Sequence, residues 1–154
     1  MKKEFLEKYD GTWHDTETDK HSILEGTLQN GNPLIAVVNM DLLKWESKAS
    51  HPWILSIEVK YKPDANGLPN KKTVDELNEM EDFILDELKD SEGYLNIGRE
   101  TADGTREFYF ACKDFRKPPK AAEKLIALYQ NKYPISFDMY KDKYWQSFNR
   151  FLQN

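Results

Sequence analysis

The chain has 154 residues and a formal net charge of −5, with 32% charged and 13% aromatic residues. This composition is typical of one globular domain with a substantial core, and it argues against a disordered chain. The mildly acidic balance also disfavours nucleic acid as the main partner, because phosphate binding usually requires a basic surface. We therefore expect a single domain over residues 1–154 and no nucleic-acid partner.

Three features bear on the cellular location. The single cysteine, Cys112, cannot form an internal disulfide bond, which is typical of a reducing compartment, and we expect its side chain to be a small buried hydrophobe. The first ten residues, MKKEFLEKYD, lack the apolar run of a signal peptide, and no segment reaches the length of a membrane span. We expect a cytoplasmic protein without membrane contact.

The first third of the chain predicts a short helix followed by a β-hairpin. Residues 3–9 favour the helix, and two strand-like runs at 23–29 and 32–40 flank Asn30-Gly31. Asn-Gly favours a two-residue hairpin turn, because both residues tolerate positive φ angles. A turn of that length places four apolar side chains on one face, namely Leu24, Leu28, Ile35 and Val37. We predict that residues 41–52 connect this N-terminal region, 1–52, to the rest of the chain.

The middle of the chain predicts a strand, a loop and an acidic helix. Apolar residues alternate over residues 53–61, which indicates a strand, and the segment 62–72 is rich in Pro, Asn and Gly, which indicates a loop. Thr73 followed by Glu76 forms a capping-box pattern, so we predict a helix over residues 74–90. Its inward residues at helical spacing are Leu77, Met80, Ile84 and Leu88.

A second hairpin is centred on Asp103-Gly104, another dipeptide that is typical of a two-residue turn. A regular ladder beyond that turn has the pairs Arg99–Phe108, Ile97–Phe110 and Leu95–Cys112. Because side chains alternate between the faces of a strand, one face carries all of these residues. The same face carries Arg106, so the sequence predicts an apolar face with two arginines near the turn.

The last third predicts a second helix, a last strand and a helical tail. Pro118-Pro119 begins the helix, because proline is tolerated in the first turn, and the helix runs to about Lys132. Apolar residues then alternate over residues 135–139 as a strand. The tail over residues 144–152 has helical spacing at Tyr144, Phe148 and Phe151.

The order of elements from residue 53 is strand, helix, strand, strand, helix, strand. This is the ferredoxin-like βαββαβ order, so we predict an α+β fold with that core over about residues 53–140. The core is preceded by the N-terminal hairpin and followed by a short C-terminal helix within the tail, residues 141–154. The hairpin either extends the core sheet or covers part of its second face, and the sequence leaves both arrangements open.

Glu81 and two arginines form the polar constellation that we single out. Glu81 falls inside the apolar stripe of the acidic helix, which packs on the sheet face that carries Arg99 and Arg106. We predict that Glu81 reaches one or both guanidinium groups, because these bind carboxylates with paired hydrogen bonds. The cluster is either a structural ion pair or a binding site in which one arginine captures an anion or a partner's carboxylate.

Two aromatic residues are further candidates for binding. Tyr109 lies opposite Gly98 in the predicted ladder and covers this residue, which has no side chain. Glu100 lies opposite Glu107 on the same face as Tyr109, and a nearby cation would relieve their repulsion. Trp145 is expected to hold the tail against the body of the protein.

Catalytic and cofactor signatures are not recognisable in the sequence. The three histidines lack metal-binding spacing, and no serine lies in the context of a nucleophile elbow. The loop at residues 66–69 lacks the lysine of a phosphate-binding loop. We therefore predict no catalytic residue, no metal site and no cofactor, and these signals favour a protein that is not an enzyme.

Several residues of the chain resemble those of a known family. They are Gly67-Leu68-Pro69, Glu81-Asp82, Gly98-Arg99, Thr101, Gly104, residues 106–110, Trp145, Phe148 and residues 151–152. The pattern resembles the bacterial domain of unknown function 695 family over about residues 20–152. Phe148 stands where that family is expected to carry a tyrosine, so no hydroxyl role is carried over to it.

The second half of the chain also resembles, more faintly, the regulator of ribonuclease activity B family. Proteins of that family inhibit ribonuclease E by protein–protein contact. The two resemblances imply a ferredoxin-like fold and suggest a non-catalytic regulator.

The function that we favour is a non-catalytic binding or regulatory module that contacts another protein, either through a basic surface of the partner or as a regulator of a ribonuclease-like target. The alternative is a domain that binds a small anionic ligand with Arg99 and Arg106. A hydrolase with Glu81 as the base is the third hypothesis, and it is the weakest because a carboxylate held by arginines is a poor base.

Overall fold

The computed structural model describes His14, Thr16 and residues 19–152, so the helix predicted over residues 3–9 lies outside the described residues. The described part contains one antiparallel sheet of six strands in the order β1-β2-β4-β5-β3-β6. The strands are β1 (His21–Thr27), β2 (Pro33–Asn39), β3 (Trp53–Lys60), β4 (Tyr94–Ala102), β5 (Thr105–Cys112) and β6 (Ile135–Lys141).

Three α-helices connect these strands in the described part of the chain. They are α1 (Met40–Leu43), α2 (Lys71–Glu87) and α3 (Lys117–Tyr129), and short 3-10 turns lie at Lys48–Ser50, Asp90–Glu92 and Gln146–Leu152. From β3 onward the order is strand, α2, two strands, α3 and strand, with the spatial order β4-β5-β3-β6. The predicted α+β fold with its ferredoxin-like core is therefore confirmed. Within the described ranges, no helix has both the length and the apolar character needed to cross a membrane.

The N-terminal hairpin extends the core sheet, because β2 pairs with β4. Its internal register differs by one residue from the prediction, since Leu24 pairs with Ala36 rather than with Val37. The turn is longer than two residues: the Leu28 amide donates to the carbonyl of Asn32 over 2.8 Å, and Gly31 takes a φ of +89°. Such a three-residue loop with a left-handed glycine shifts the whole ladder by one position.

The shifted ladder changes which apolar residues of the hairpin share a face. Leu24 lies on the same face as Ala36 and Val38, and these two are fully buried. Ile35 and Val37 lie on the opposite face, so the predicted common face of Leu24, Leu28, Ile35 and Val37 is wrong. A single residue added to the loop is enough to cause this, because the side-chain period of a strand is two.

Helix α2 begins earlier than the capping-box pattern predicts. The Asn70 side chain, rather than that of Thr73, caps the helix, and its Oδ1 accepts the Thr73 amide over 2.9 Å. Glu76 is not available as the reciprocal cap, because its carboxylate binds Lys132 and Tyr133. The predicted inward positions are confirmed, since Leu77, Met80, Ile84 and Leu88 are all buried.

A β-bulge interrupts the ladder between β4 and β5. The pairs near the turn are as predicted, with Arg99 opposite Phe108, but the register shifts between Asn96 and Gly98. Beyond the bulge, Leu95 pairs with Ala111 instead of Cys112. Leu95 and Ile97 therefore join the core on the second face, so their predicted place beside Phe110 is wrong.

Both faces of the sheet are covered. Helices α2 and α3 cover the face that carries Phe108, Phe110 and the buried Cys112. The second face is covered by α1, by Trp145 and by the C-terminal 3-10 turn that follows it, whose inward residues are Phe148 and Phe151. Tyr144, which the sequence places on the same side as Phe148 and Phe151, is 58% exposed, because the buried residues recur every third position from Trp145 as the 3-10 turn requires, rather than at α-helical spacing.

Candidate functional site

Glu81 and Arg99 form an ion pair at the edge of the core between α2 and the sheet. Arg99 Nη1 donates to Glu81 Oε1 over 2.6 Å, and the two side chains are 28% and 13% exposed respectively. Glu81 reaches this position because it follows Leu77 by one helical turn on the inward side of α2. The predicted contact between Glu81 and Arg99 is therefore present, and Arg99 keeps part of its surface open to solvent.

Arg106 lies next to this pair but does not contact the carboxylate. Its residue is 7% exposed; Nε donates to Thr101 Oγ1 over 2.8 Å, and Nη1 donates to Asn78 Oδ1 over 3.4 Å. Burial, and then the charge of Arg99, lower the pKa of Arg106 to about 10. Within the described ranges, no carboxylate forms an ion pair with Arg106. The buried guanidinium of Arg106 thus has two neutral hydrogen-bond partners, although an ionised carboxylate would stabilise its charge more.

The three charged groups carry a net positive charge in a partly desolvated place. The cluster holds two guanidinium groups and one carboxylate, and that carboxylate is bound by Arg99 alone. An incoming carboxylate or phosphate would therefore meet unneutralised positive charge, in surroundings where charge-assisted hydrogen bonds are strong. The chemistry that this cluster can perform is the recognition of an anion, with Arg99 as the accessible member.

Tyr109 and Trp145 are not brought to this cluster, since both lie on the second face of the sheet. The Tyr109 hydroxyl donates to Glu100 Oε1 over 2.6 Å and contacts Glu107 Oε2 at 3.2 Å. Burial, followed by the hydrogen bond to Glu100, raises the pKa of Tyr109 well above its ordinary value. Trp145 donates from Nε1 to the carbonyl oxygen of His51 over 2.8 Å. The five predicted site residues therefore divide between two faces.

The group of like charges on the second face contains one more carboxylate than the pair that the sequence indicates. Glu107 lies opposite Glu100 on one side and opposite Glu58 on the other, so three carboxylates form a row across adjacent strands. Arg150 of the C-terminal turn contacts Glu100 and supplies a cation that relieves the repulsion of this pair. The source of that cation was not predicted, because nothing local links residue 150 to residue 100.

A lysine-lined cavity was missed by the sequence analysis. It lies where the end of β3, the start of α2 and the loop before β6 meet, and its lining includes Lys60, Lys62, Lys72 and Lys132. The only local signal was the density of lysines around residues 60–72, which a loop composition alone would also explain. No group of three or more potential metal ligands occurs within the described part of the chain.

The comparison with family models decides the classification of the chain. The model described as "Family of unknown function (DUF695)" matches residues 26–153. The chain belongs to this family. No curated protein and no solved structure matches the chain. Membership of the DUF695 family agrees with the stronger resemblance noted in the sequence, whereas the fainter resemblance to the regulator of ribonuclease activity B family is not shown by any comparison.

Proposed function

We propose that this chain is a non-catalytic binding module that acts by contact with another protein and accepts an acidic group of that partner at the Arg99–Arg106 cluster. The observation that carries the proposal is the state of Arg106, whose guanidinium is buried without a carboxylate partner among the described residues. Burying a cation is costly unless it is paired, so a buried guanidinium without a carboxylate partner favours an external anion.

Access to the cluster is possible from the Arg99 side. Arg99 is more exposed than Glu81, and Asn78, which contacts Arg106, is an exposed residue of α2. A carboxylate that approaches along α2 would reach Arg99 first and would compete with Glu81 for it. Glu81 therefore serves as the internal carboxylate that occupies the site when no partner is bound.

The outer surface of α2 favours a protein over a free small anion as the partner. Four exposed carboxylates lie along it at helical spacing, and they are Asp75, Glu79, Asp82 and Asp86. Asp75 pairs with Lys71 of the same helix and Asp86 with Lys89 just beyond its end, and such exposed pairs contribute little. A partner with a basic surface around one acidic side chain would complement both the exposed carboxylates of α2 and the arginine cluster.

The experiment uses small anions as probes of the arginine cluster. Glu81→Gln removes the internal carboxylate, so we expect acetate and phosphate at millimolar concentration to raise the melting temperature of this variant saturably and more than that of the unchanged protein. Glu79→Gln is the matched control, because it makes the same charge change on the same helix outside the cluster. Equal responses of the two variants would contradict the proposal.

A partner assay then tests for protein contact. A protein that the unchanged chain captures should no longer be captured by Arg99→Gln. Its binding should also weaken as the salt concentration rises, because exposed charges are screened within about 10 Å at 0.1 M salt. Binding that is unaffected both by Arg99→Gln and by added salt would show that this surface is not the contact.

The second candidate function is a domain for a small anionic ligand, and it is supported by the same buried Arg106. Micromolar affinity for one small carboxylate or phosphate, lost with Arg99→Gln, would favour this function over a protein partner. Millimolar affinity for many anions would be the behaviour of a subsite that recognises one side chain of a protein.

A further inference from the structure

We propose that the lysine-lined cavity is a second binding site, and that its ligand is a small polyphosphate anion. The inference goes beyond the proposed function, because the cavity uses none of the residues of the arginine cluster. The cavity has a volume of about 460 Å³ and is lined from three segments of the chain. That volume falls within the range that small-molecule sites have in proteins.

The charge of the lining is opposite to that of the whole chain. The protein carries a net charge of −5, whereas the cavity lining contains four lysines and one carboxylate, Glu76. Lysines from separate segments repel one another when they converge, and this cost falls when an anion lies between them. The convergence of Lys62, Lys72 and Lys132 is therefore the first argument for an anionic ligand, whereas the ammonium group of Lys60 contacts Glu58 on the second face.

The single carboxylate of the lining does not neutralise these lysines. Glu76 accepts hydrogen bonds from Lys132 Nζ and from the Tyr133 hydroxyl, both over 2.9 Å. Within the part of the chain that the structure describes, Lys62 and Lys72 form no ion pair, whereas Lys60 pairs with Glu58 at 3.9 Å. At least two ammonium groups thus remain available to a ligand.

The first turn of α2 strengthens the argument. The 17-residue helix has no acidic residue in its first turn and begins with Lys71 and Lys72, although carboxylates are favoured and cations disfavoured at the positive end of a helix dipole. Asn70, Lys72 and Thr73 from this end also line the cavity. An anion held by the lysines would lie beside a helix end that favours negative charge as well.

Several negative charges on one compact ligand fit this arrangement best. Lysine ammonium groups bind phosphate oxygens as point charges on flexible side chains, and several of them can neutralise the several charges of one phosphate chain. Since Lys62 lies in the loop after β3 and Lys72 lies in α2, a chain of two or three phosphates would contact both segments at once. The ligand is either an inorganic polyphosphate or a nucleotide that carries the same phosphate chain.

The experiment is calorimetric titration of the whole chain with tripolyphosphate and, separately, with ATP. We expect saturable binding that weakens about tenfold, or about 1.4 kcal/mol, in the double variant Lys62→Gln/Lys72→Gln, because two ammonium contacts to the ligand are lost. The matched control is Lys44→Gln/Lys120→Gln, which makes the same change in net charge at exposed sites outside the cavity. Both substituted pairs are exposed, so the fold is expected to be retained.

The two ligands separate the possible sources of the phosphate chain. Tighter binding of ATP would identify a nucleotide, and equal binding would identify the phosphate chain alone; either result supports the site. A third variant, Glu76→Gln, should bind more tightly because it releases Lys132. No binding at millimolar ligand, or equal weakening in both lysine pairs, would overturn the inference. Binding lost with Arg99→Gln but kept in the Lys62/Lys72 pair would assign the anion to the arginine cluster instead and would also overturn it.

Discussion

A Cβ atom on Gly98 would lie 2.3 Å from the carbonyl oxygen of Val37. The two residues lie on β4 and β2, the strands through which the N-terminal hairpin joins the core sheet, and Gly98 pairs with Val38 there. Gly98 has a φ of +155° and ends the bulge in β4. Glycine at this position therefore permits both the bulge and the close approach of β2.

We expect Gly98→Ala to lower the free energy of unfolding by about 3 kcal/mol or more, because it combines backbone strain with a contact that only a backbone movement can relieve. Urea denaturation measures the change. Gly26→Ala in β1 is the control: no atom lies within 4 Å of its added Cβ, and we expect a change below about 1 kcal/mol. Similar losses in the two variants would show that the Val37 contact is not the cause.

His51 makes the stability of the fold depend on pH. Its residue is fully buried, its Nδ1 is 2.9 Å from Ser50 Oγ, and burial, followed by the charge of Lys113, lowers its pKa to about 4 from the ordinary 6.5. Above pH 6.5 both folded and unfolded chains hold this group neutral. Between pH 6.5 and 4 the unfolded chain binds the proton and the folded chain does not, so stability falls as the pH falls.

The loss that His51 causes over this pH interval is at most about 3 kcal/mol, at 1.36 kcal/mol per pKa unit. Urea denaturation at a series of pH values should show a flatter curve for His51→Gln between pH 6.5 and 4. His21→Gln removes the same kind of group from an exposed place and should keep the original slope. An unchanged slope in His51→Gln would refute the assignment.

Arg150 attaches the C-terminal turn to the row of carboxylates on the second face. Arg150→Gln leaves Glu100 and Glu107 directly opposite each other without that cation, so we expect a loss of about 1 kcal/mol. The loss should shrink in 1 M salt, because screening weakens the repulsion. Lys143→Gln, a change of the same charge outside this row, serves as the control in the same denaturation series, and a salt-independent loss in Arg150→Gln would point to packing instead.

Arg106→Met tests whether the buried guanidinium contributes to stability. The variant removes a desolvated charge and two neutral hydrogen bonds, so these effects oppose each other and we expect a change below about 1 kcal/mol. Leu77→Ala, a cavity variant in the overlying helix, should cost about 2–5 kcal/mol and calibrates the assay. A loss in Arg106→Met as large as that of Leu77→Ala would mean that the arginine is structural.

Trp145→Phe should cost about 1–2 kcal/mol, because the buried carbonyl oxygen of His51 loses the indole donor. The control is Trp53→Phe, whose indole makes no hydrogen bond within the described part of the chain, and thermal denaturation compares the two. Equal losses would attribute the effect of Trp145 to its ring volume rather than to the hydrogen bond.

Local sequence patterns were sufficient to predict much of the core. Alternation over residues 53–61 and helical spacing from Leu77 to Leu88 are properties of neighbouring residues, and both are present in the structure. The contact of Glu81 with Arg99 also followed from local sequence periodicity, because the Asp103-Gly104 turn sets the register of the five pairs nearest to it. Helix ends were predicted less well, since Asn70 replaced Thr73 as the cap of α2.

The sequence by itself determined the α+β class, the ferredoxin-like order and the meeting of Glu81 with Arg99, because turn chemistry and side-chain periodicity act between near neighbours. Only the tertiary structure decided the bulge at Gly98, the hairpin's place at the sheet edge, the pairing of Arg150 with Glu100 and the convergence of lysines in one cavity. These features depend on groups that are far apart along the chain, and their energies arise only when folding brings the groups into contact.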